Sequence, residues 1–187
     1  SLNRTGTHTL IDLAEGRDVV NAPDSSNIFI VKNGDKTFTG GNKDDVFILS
    51  GNKITGILDG GQGDNTIDLT NFAKDINHLE IDVVGNLRKE GKISLFSDDD
   101  RLTIKNINKI HARKNKRDTI KCNYHTKFVD GQGGKNSSNP DIITISEDIT
   151  HPCNTQFVVS PYTIINNDAS GNFSYQIVSG KGNAQIK

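Results

Sequence analysis

Short apolar strands alternate with corners rich in Asn, Asp and Gly along this chain. Aligned on the residue that ends each corner, Asn27 precedes Ile28-Phe29-Ile30-Val31, Asp45 precedes Val46-Phe47-Ile48-Leu49, and Asn65 precedes Thr66-Ile67-Asp68-Leu69. The corner residues lie 18 and 20 positions apart. Side chains alternate across a strand, so this register places Phe29, Phe47 and Ile67 in one inward ladder and Val31, Leu49 and Leu69 in the next. Ile28, Val46 and Thr66 face outward, as do Ile30, Ile48 and Asp68. Shorter return strands are predicted at 37–39 and 54–58, with corners at Asn33-Gly34-Asp35 and Ser50-Gly51-Asn52. Further strands are predicted near 79–84, 92–96, 102–104, 107–112, 119–122, 142–145, 157–159 and 175–178. No long helical period is present. The pattern predicts an all-β fold, a right-handed parallel β-helix or β-roll (a solenoid), less regular toward the C-terminus. The outward apolar pair Ile30 and Ile48 predicts that residues 1–20 or a preceding domain cover the first coils.

Composition strengthens the corner-and-strand reading. Asn 21, Asp 19 and Gly 18 make nearly a third of the 187 residues, against only 4 Glu. These residues tolerate left-handed backbone and close tight corners. The 22 Ile suit half-buried pleated strands. The length fits a single domain, 1–187, with an insertion at 134–140, and residues 150–187 either complete the solenoid or cap it. The absence of any Met predicts a piece of a larger protein. A net charge of −1 selects no partner class, and no run of 18 apolar residues is present.

Two corners carry a motif. One reads Gly40-Gly41-Asn42-Lys43-Asp44-Asp45-Val46-Phe47-Ile48, the other Asp59-Gly60-Gly61-Gln62-Gly63-Asp64-Asn65-Thr66-Ile67-Asp68-Leu69. They resemble the nonapeptide G-G-x-G-x-D-x-U-x of RTX (haemolysin-type) calcium-binding repeats. The likeness covers residues 20–70 well. It extends loosely to 128–146, where Gly131-Gln132-Gly133-Gly134 starts a third turn. Lys43 replaces one glycine, and Asn65 stands where the motif has aspartate, with Asp64 one place early. The resemblance implies a calcium-assisted module of a secreted bacterial toxin or adhesin that folds after export and presents a surface to target cells. Its implied partners are the other domains of the parent and a host receptor, glycan or acidic lipid. A hard cation wants six to eight oxygens. Asp45 would face the next turn, with Gly60 in it, while Asp44, Asp59, Asp64 and Asp68 stand near enough to contribute. The alternative is a metal-free corner in which the same side chains cap backbone amides.

Other chemistry is sparser. Cys122 and Cys153 allow a disulfide, two unconnected thiols, or a zinc site completed by His125 and His151. Residues 101–117 hold Arg101, Lys105, Lys109, Arg113, Lys114, Lys116 and Arg117 with no acid. That stripe suits a sulfated or sialylated glycan or an acidic lipid, or is a solvated face balanced by Asp98, Asp99 and Asp100. It lacks interleaved aromatics, which argues against single-stranded nucleic acid. No G-x-S-x-G elbow and no H-E-x-x-H occurs, so the chain reads as a non-enzyme. A calcium-independent receptor- or glycan-binding domain is the first competing reading, and a carbohydrate-active enzyme the second.

Overall fold

The computed structural model describes residues 2–5, 8–12, 14–22, 24–83, 90–95, 101–122, 125–145, 154–167, 174–180 and 184–186. All regular structure among them is β. The first sheet runs, in spatial order, β1 (Leu2–Thr5), β2 (His8–Asp12), β4 (Ser26–Val31), β6 (Val46–Gly51), β8 (Asn65–Phe72), β12 (Ile107–His111), β14 (Phe128–Asp130), β16 (Asn154–Val159) and β18 (Ser174–Gly180). The second runs β19 (Ala184–Ile186), β17 (Thr163–Asn167), β15 (Asp141–Ile145), β13 (Arg117–Cys122), β9 (His78–Asp82), β10 (Glu90–Leu95), β11 (Arg101–Lys105), β7 (Ile54–Asp59), β5 (Gly34–Thr39) and β3 (Asp18–Asn21). Successive strands mostly pass from one sheet to the other, and neighbours within a sheet are parallel apart from β1 on β2 and β10 on both its flanks.

The core follows the alternation. Ile11, Phe29, Phe47, Ile67, Ile110, Val129 and Phe157 stand in register across the first sheet. All are buried, as are Val31, Leu49 and Leu69 beside them. From the second sheet Phe38, Leu58 and Ile104 face them, and farther along Ile81, Ile120, Ile143 and Ile165. The Phe29 ring stacks on Phe47 at 4.6 Å between centroids and on Phe38 of the opposite sheet at 5.5 Å.

Outward positions are also as expected, with one difference. Ile28, Ile30, Val46 and Ile48 are half-buried. Residues 8–12 pair laterally, Leu10 with Ile28 and Asp12 with Ile30, so they continue the sheet rather than lie across its face. The antiparallel β10 is the second departure. Alternation does not encode strand direction, but connection length does: seven residues separate β9 from β10 and five separate β10 from β11, fewer than the dozen or more that a parallel crossover needs. The chain therefore folds 78–105 as a three-stranded meander within the second sheet.

Candidate functional site

The glycine corners join the second sheet to the first, and a buried ladder of Asn and Asp runs through them. The Asn27 backbone N–H and side-chain Nδ2 both donate to Asp45 Oδ1, at 2.7 and 2.8 Å. The Gly41 N–H donates to Asp45 Oδ2 at 3.1 Å. Asp45's own N–H donates to Asn65 Oδ1 at 2.9 Å. Asn65 Nδ2 reaches the Asn106 carbonyl at 2.9 Å, and Asn106 Nδ2 donates to Asp59 Oδ1 at 2.8 Å. Each side chain thus caps the corner before it. Glycine is needed where corners touch: a Cβ on Gly40 would lie 2.2 Å from Asp45 Oδ2 and 2.6 Å from the Gly60 carbonyl oxygen. Burial pushes the Asp45 carboxyl above its ordinary value, against the pull of the N–H donors from Asn27 and Gly41.

The predicted calcium ligands lie along this edge but do not converge. Asp59 Oδ1 also caps the Gly61 N–H at 2.9 Å. Asp44 Oδ1 accepts from the Asp64 N–H at 2.8 Å. Asp64 pairs with Lys127 and, at 3.8 Å, with Lys109. Asp68 points outward from β8 and caps the Thr70 N–H at 2.9 Å. The Gly60 N–H donates to the Lys105 carbonyl at 2.9 Å. Among the described residues no group of three or more His, Cys, Asp or Glu side chains is placed to hold a metal ion. Around Asp45 the neighbours are N–H groups aimed at both oxygens, the opposite of a cation's shell, so this arrangement does not fit calcium.

The opposite edge, from the first sheet to the second, uses buried cations. Lys36 Nζ is fully buried and donates to the carbonyls of Ala14 and Gly16, both at 2.9 Å, and to Asp18. Arg113 is 1% exposed, pairs with Asp118 through both Nε and Nη2, and sends Nη1 to the carbonyls of Ala73 and Ile76 at 2.8 Å. The Asp118 N–H donates to Asp141 Oδ1 at 2.9 Å. The third glycine turn lies on this edge, with Gly131 against Asp141.

The basic stripe is dispersed by the fold. Arg113 is interior, Lys109 sits outward on β12 near Asp64, and Lys105 ends β11 in the other sheet. Lys114 is exposed, while Lys116 and Arg117 are half-buried. Cys122 is buried, its thiol 3.5 Å from the Thr144 carbonyl it donates to. Cys153 and His151, on which the disulfide and zinc alternatives depend, and Asp98–Asp100 lie outside the described residues. On the outer face of the first sheet Asp68, His111 and Asp130 occupy neighbouring positions. The His111 imidazole lies 3.6 Å from Asp130, which raises its pKa.

One feature was not legible from the sequence. A cleft of about 220 Å3 opens on the glycine-corner edge, lined by the Gly61-Gln62-Gly63 turn, Asn106-Ile107-Asn108, Val83 and His125. Two things create it. β11 and β12 are joined by Asn106 alone, held at φ +54°, so this corner is recessed between longer ones. Moreover β12 and β14 are neighbours in the first sheet, whereas β9 and β10 separate β11 from β13 in the second. Three strand steps, about 14 Å, thus face one step of about 5 Å. Compared with protein-family models, curated proteins and solved structures, the chain matches none.

Proposed function

We propose that the two sheets close into a right-handed parallel β-solenoid, and that the chain is a non-catalytic binding module whose corners are held by side-chain hydrogen bonds without calcium. The observation that carries this reading is the Asn27–Asp45–Asn65–Asn106 ladder, in which N–H donors occupy both Asp45 oxygens. The cleft supports binding over catalysis. Among the described residues its lining holds amides, an imidazole and apolar side chains, with no pair of carboxylates for acid–base cleavage of a glycosidic bond. The secreted toxin or adhesin setting rests on the RTX-like turns of residues 20–70.

Thermal unfolding in millimolar calcium and in excess EDTA tests the metal-free corner. Coincident curves are expected. A rise of several degrees in calcium would overturn it in favour of calcium-assisted folding after export, in which metal binding supplies folding energy. Asp45→Ala sharpens the test. It strands the Asn27 and Gly41 donors, at a cost of about 1–3 kcal/mol for each buried unsatisfied group. The loss should be the same in calcium and in EDTA.

A further inference from the structure

We propose that the cleft between the Gly61-Gln62-Gly63 turn and His125 is the binding site for one sugar residue of a glycan. The inference rests on the binding-module reading and names its ligand class.

The lining has the mixed character that a pyranose presents. Val83 and Ile107 form the apolar part. Each is 8% exposed, while every other apolar core residue is 3% exposed or less. Such a patch suits the C–H face of a sugar ring. The polar part is made of amides. An amide offers a donor and an acceptor in one plane, which matches two adjacent hydroxyls. Asn108 is poorly satisfied within the protein: Nδ2 reaches the Gly63 carbonyl only at 3.5 Å, and Oδ1 is buried with no partner. Turning this amide toward a ligand therefore costs little internal hydrogen bonding, and a ligand hydroxyl would satisfy an otherwise orphaned acceptor. The Gln62 side chain is exposed at the rim and His125 is half-buried opposite.

Size and charge favour a sugar over other ligand classes. At about 220 Å3 the cleft is smaller than the roughly 300–1,000 Å3 of pockets that enclose drug-sized molecules, and it holds about seven waters at ~30 Å3 each. One ring fits; a peptide does not. Among the described residues no carboxylate lines it, which disfavours a cation, and no Lys or Arg lines it, which disfavours a phosphate. Lys109 and Lys127 are both paired with Asp64.

The experiment is a glycan array on the full chain, followed by saturation-transfer NMR with free neutral hexoses, N-acetylhexosamines, uronic acids and sialic acid. Binding to a neutral hexose or an N-acetylhexosamine is expected, with uronic and sialic acids weaker because no cation among the described residues lines the cleft. Asn108→Ala and Gln62→Ala should each weaken it about tenfold, the effect of losing one well-placed polar partner. The Gln62 side chain is exposed, so its variant tests the cleft even if Asn108→Ala fails to fold. Lys114→Ala, outside the cleft, should bind as the parent does. No signal from any sugar overturns the proposal, as does binding that both cleft variants leave unchanged. Loss on Lys114→Ala and Lys116→Ala instead would move the site to the basic residues and keep the binding-module reading. A calcium-dependent melting shift would overturn the metal-free corner and leave the cleft result standing.

Discussion

Asp141 shows how one residue tunes this fold. Its Oδ1 accepts the Asp118 N–H, but its Oδ2 is buried without a partner, and so is Thr163 Oγ1 at the paired position of the next strand. Arg113, a buried cation on that edge, is committed to Asp118. Desolvation therefore pushes the Asp141 carboxyl from 3.8 to about 8, with the Asp118 charge adding to the rise and its N–H opposing it. Between those two values the folded chain keeps a proton that the unfolded chain has lost, so stability falls as pH rises. The contribution is complete below the lower value and gone above the upper one. Asp45 and His111 are shifted the same way and add to the slope. Asp141→Asn retains an acceptor for Asp118 and removes the titration. Melting followed from about pH 5 to about pH 9 should show a flatter profile for the variant, and a midpoint several degrees higher at the alkaline end, at about 2–4 °C per kcal/mol. A variant profile parallel to the parent's would show that Asp141 is already ionised in the native state.

Among the elements, legibility divides by what alternation can encode. The strands carrying Phe29, Phe47 and Ile67 could be read because apolar residues recur at every second position and at 18- and 20-residue intervals. β1, β2, β3, β14, β17 and β19 were not predicted. β14 and β19 are three residues long, and in β17 Thr163-Ile164-Ile165-Asn166-Asn167 shows no clear period. The direction of β10 is hidden from alternation, which is the same in parallel and antiparallel strands, and is carried only by the few residues that separate it from its neighbours. The acidic corner residues were found, but their partners were not: whether Asp45 meets a cation or N–H groups depends on the neighbouring corner. Gln62, Asn108 and His125 come together only through the widening of the second sheet, and no local signal marks them. The inward ladder itself makes a firm prediction. Phe47 packs between Phe29 and Ile67 in a fully buried row, so Phe47→Ala should cost about 3–5 kcal/mol, measured by urea unfolding with an unchanged m-value. A loss under about 1 kcal/mol would mean that the row collapses around the gap or is loosely packed.

For the whole molecule the question is whether the meander at 78–105 divides it. A stacked array gains stability from neighbour contacts, and a weak junction lets its parts melt separately. In the second sheet β11 and β13 are connected only through β10 and β9. In the first sheet, however, β8, β12 and β14 pair directly, and the inward row continues from Ile67 to Ile110 to Val129 across the junction. Arg113 adds a second tie, since it binds the carbonyls of Ala73 and Ile76 on the β8–β9 connection while holding Asp118 at the start of β13. These contacts predict one cooperative transition by calorimetry, with equal calorimetric and van't Hoff enthalpies. Arg113→Met should lower that transition as a whole, because it leaves the Asp118 charge buried without its partner, a change that costs about 3–5 kcal/mol. Phe47→Ala, on the other side of the meander, should shift the same transition. Two resolved transitions in the parent, each moved by only one of these variants, would show instead that the meander insulates the two halves and that the continuous first sheet is too weak to couple them.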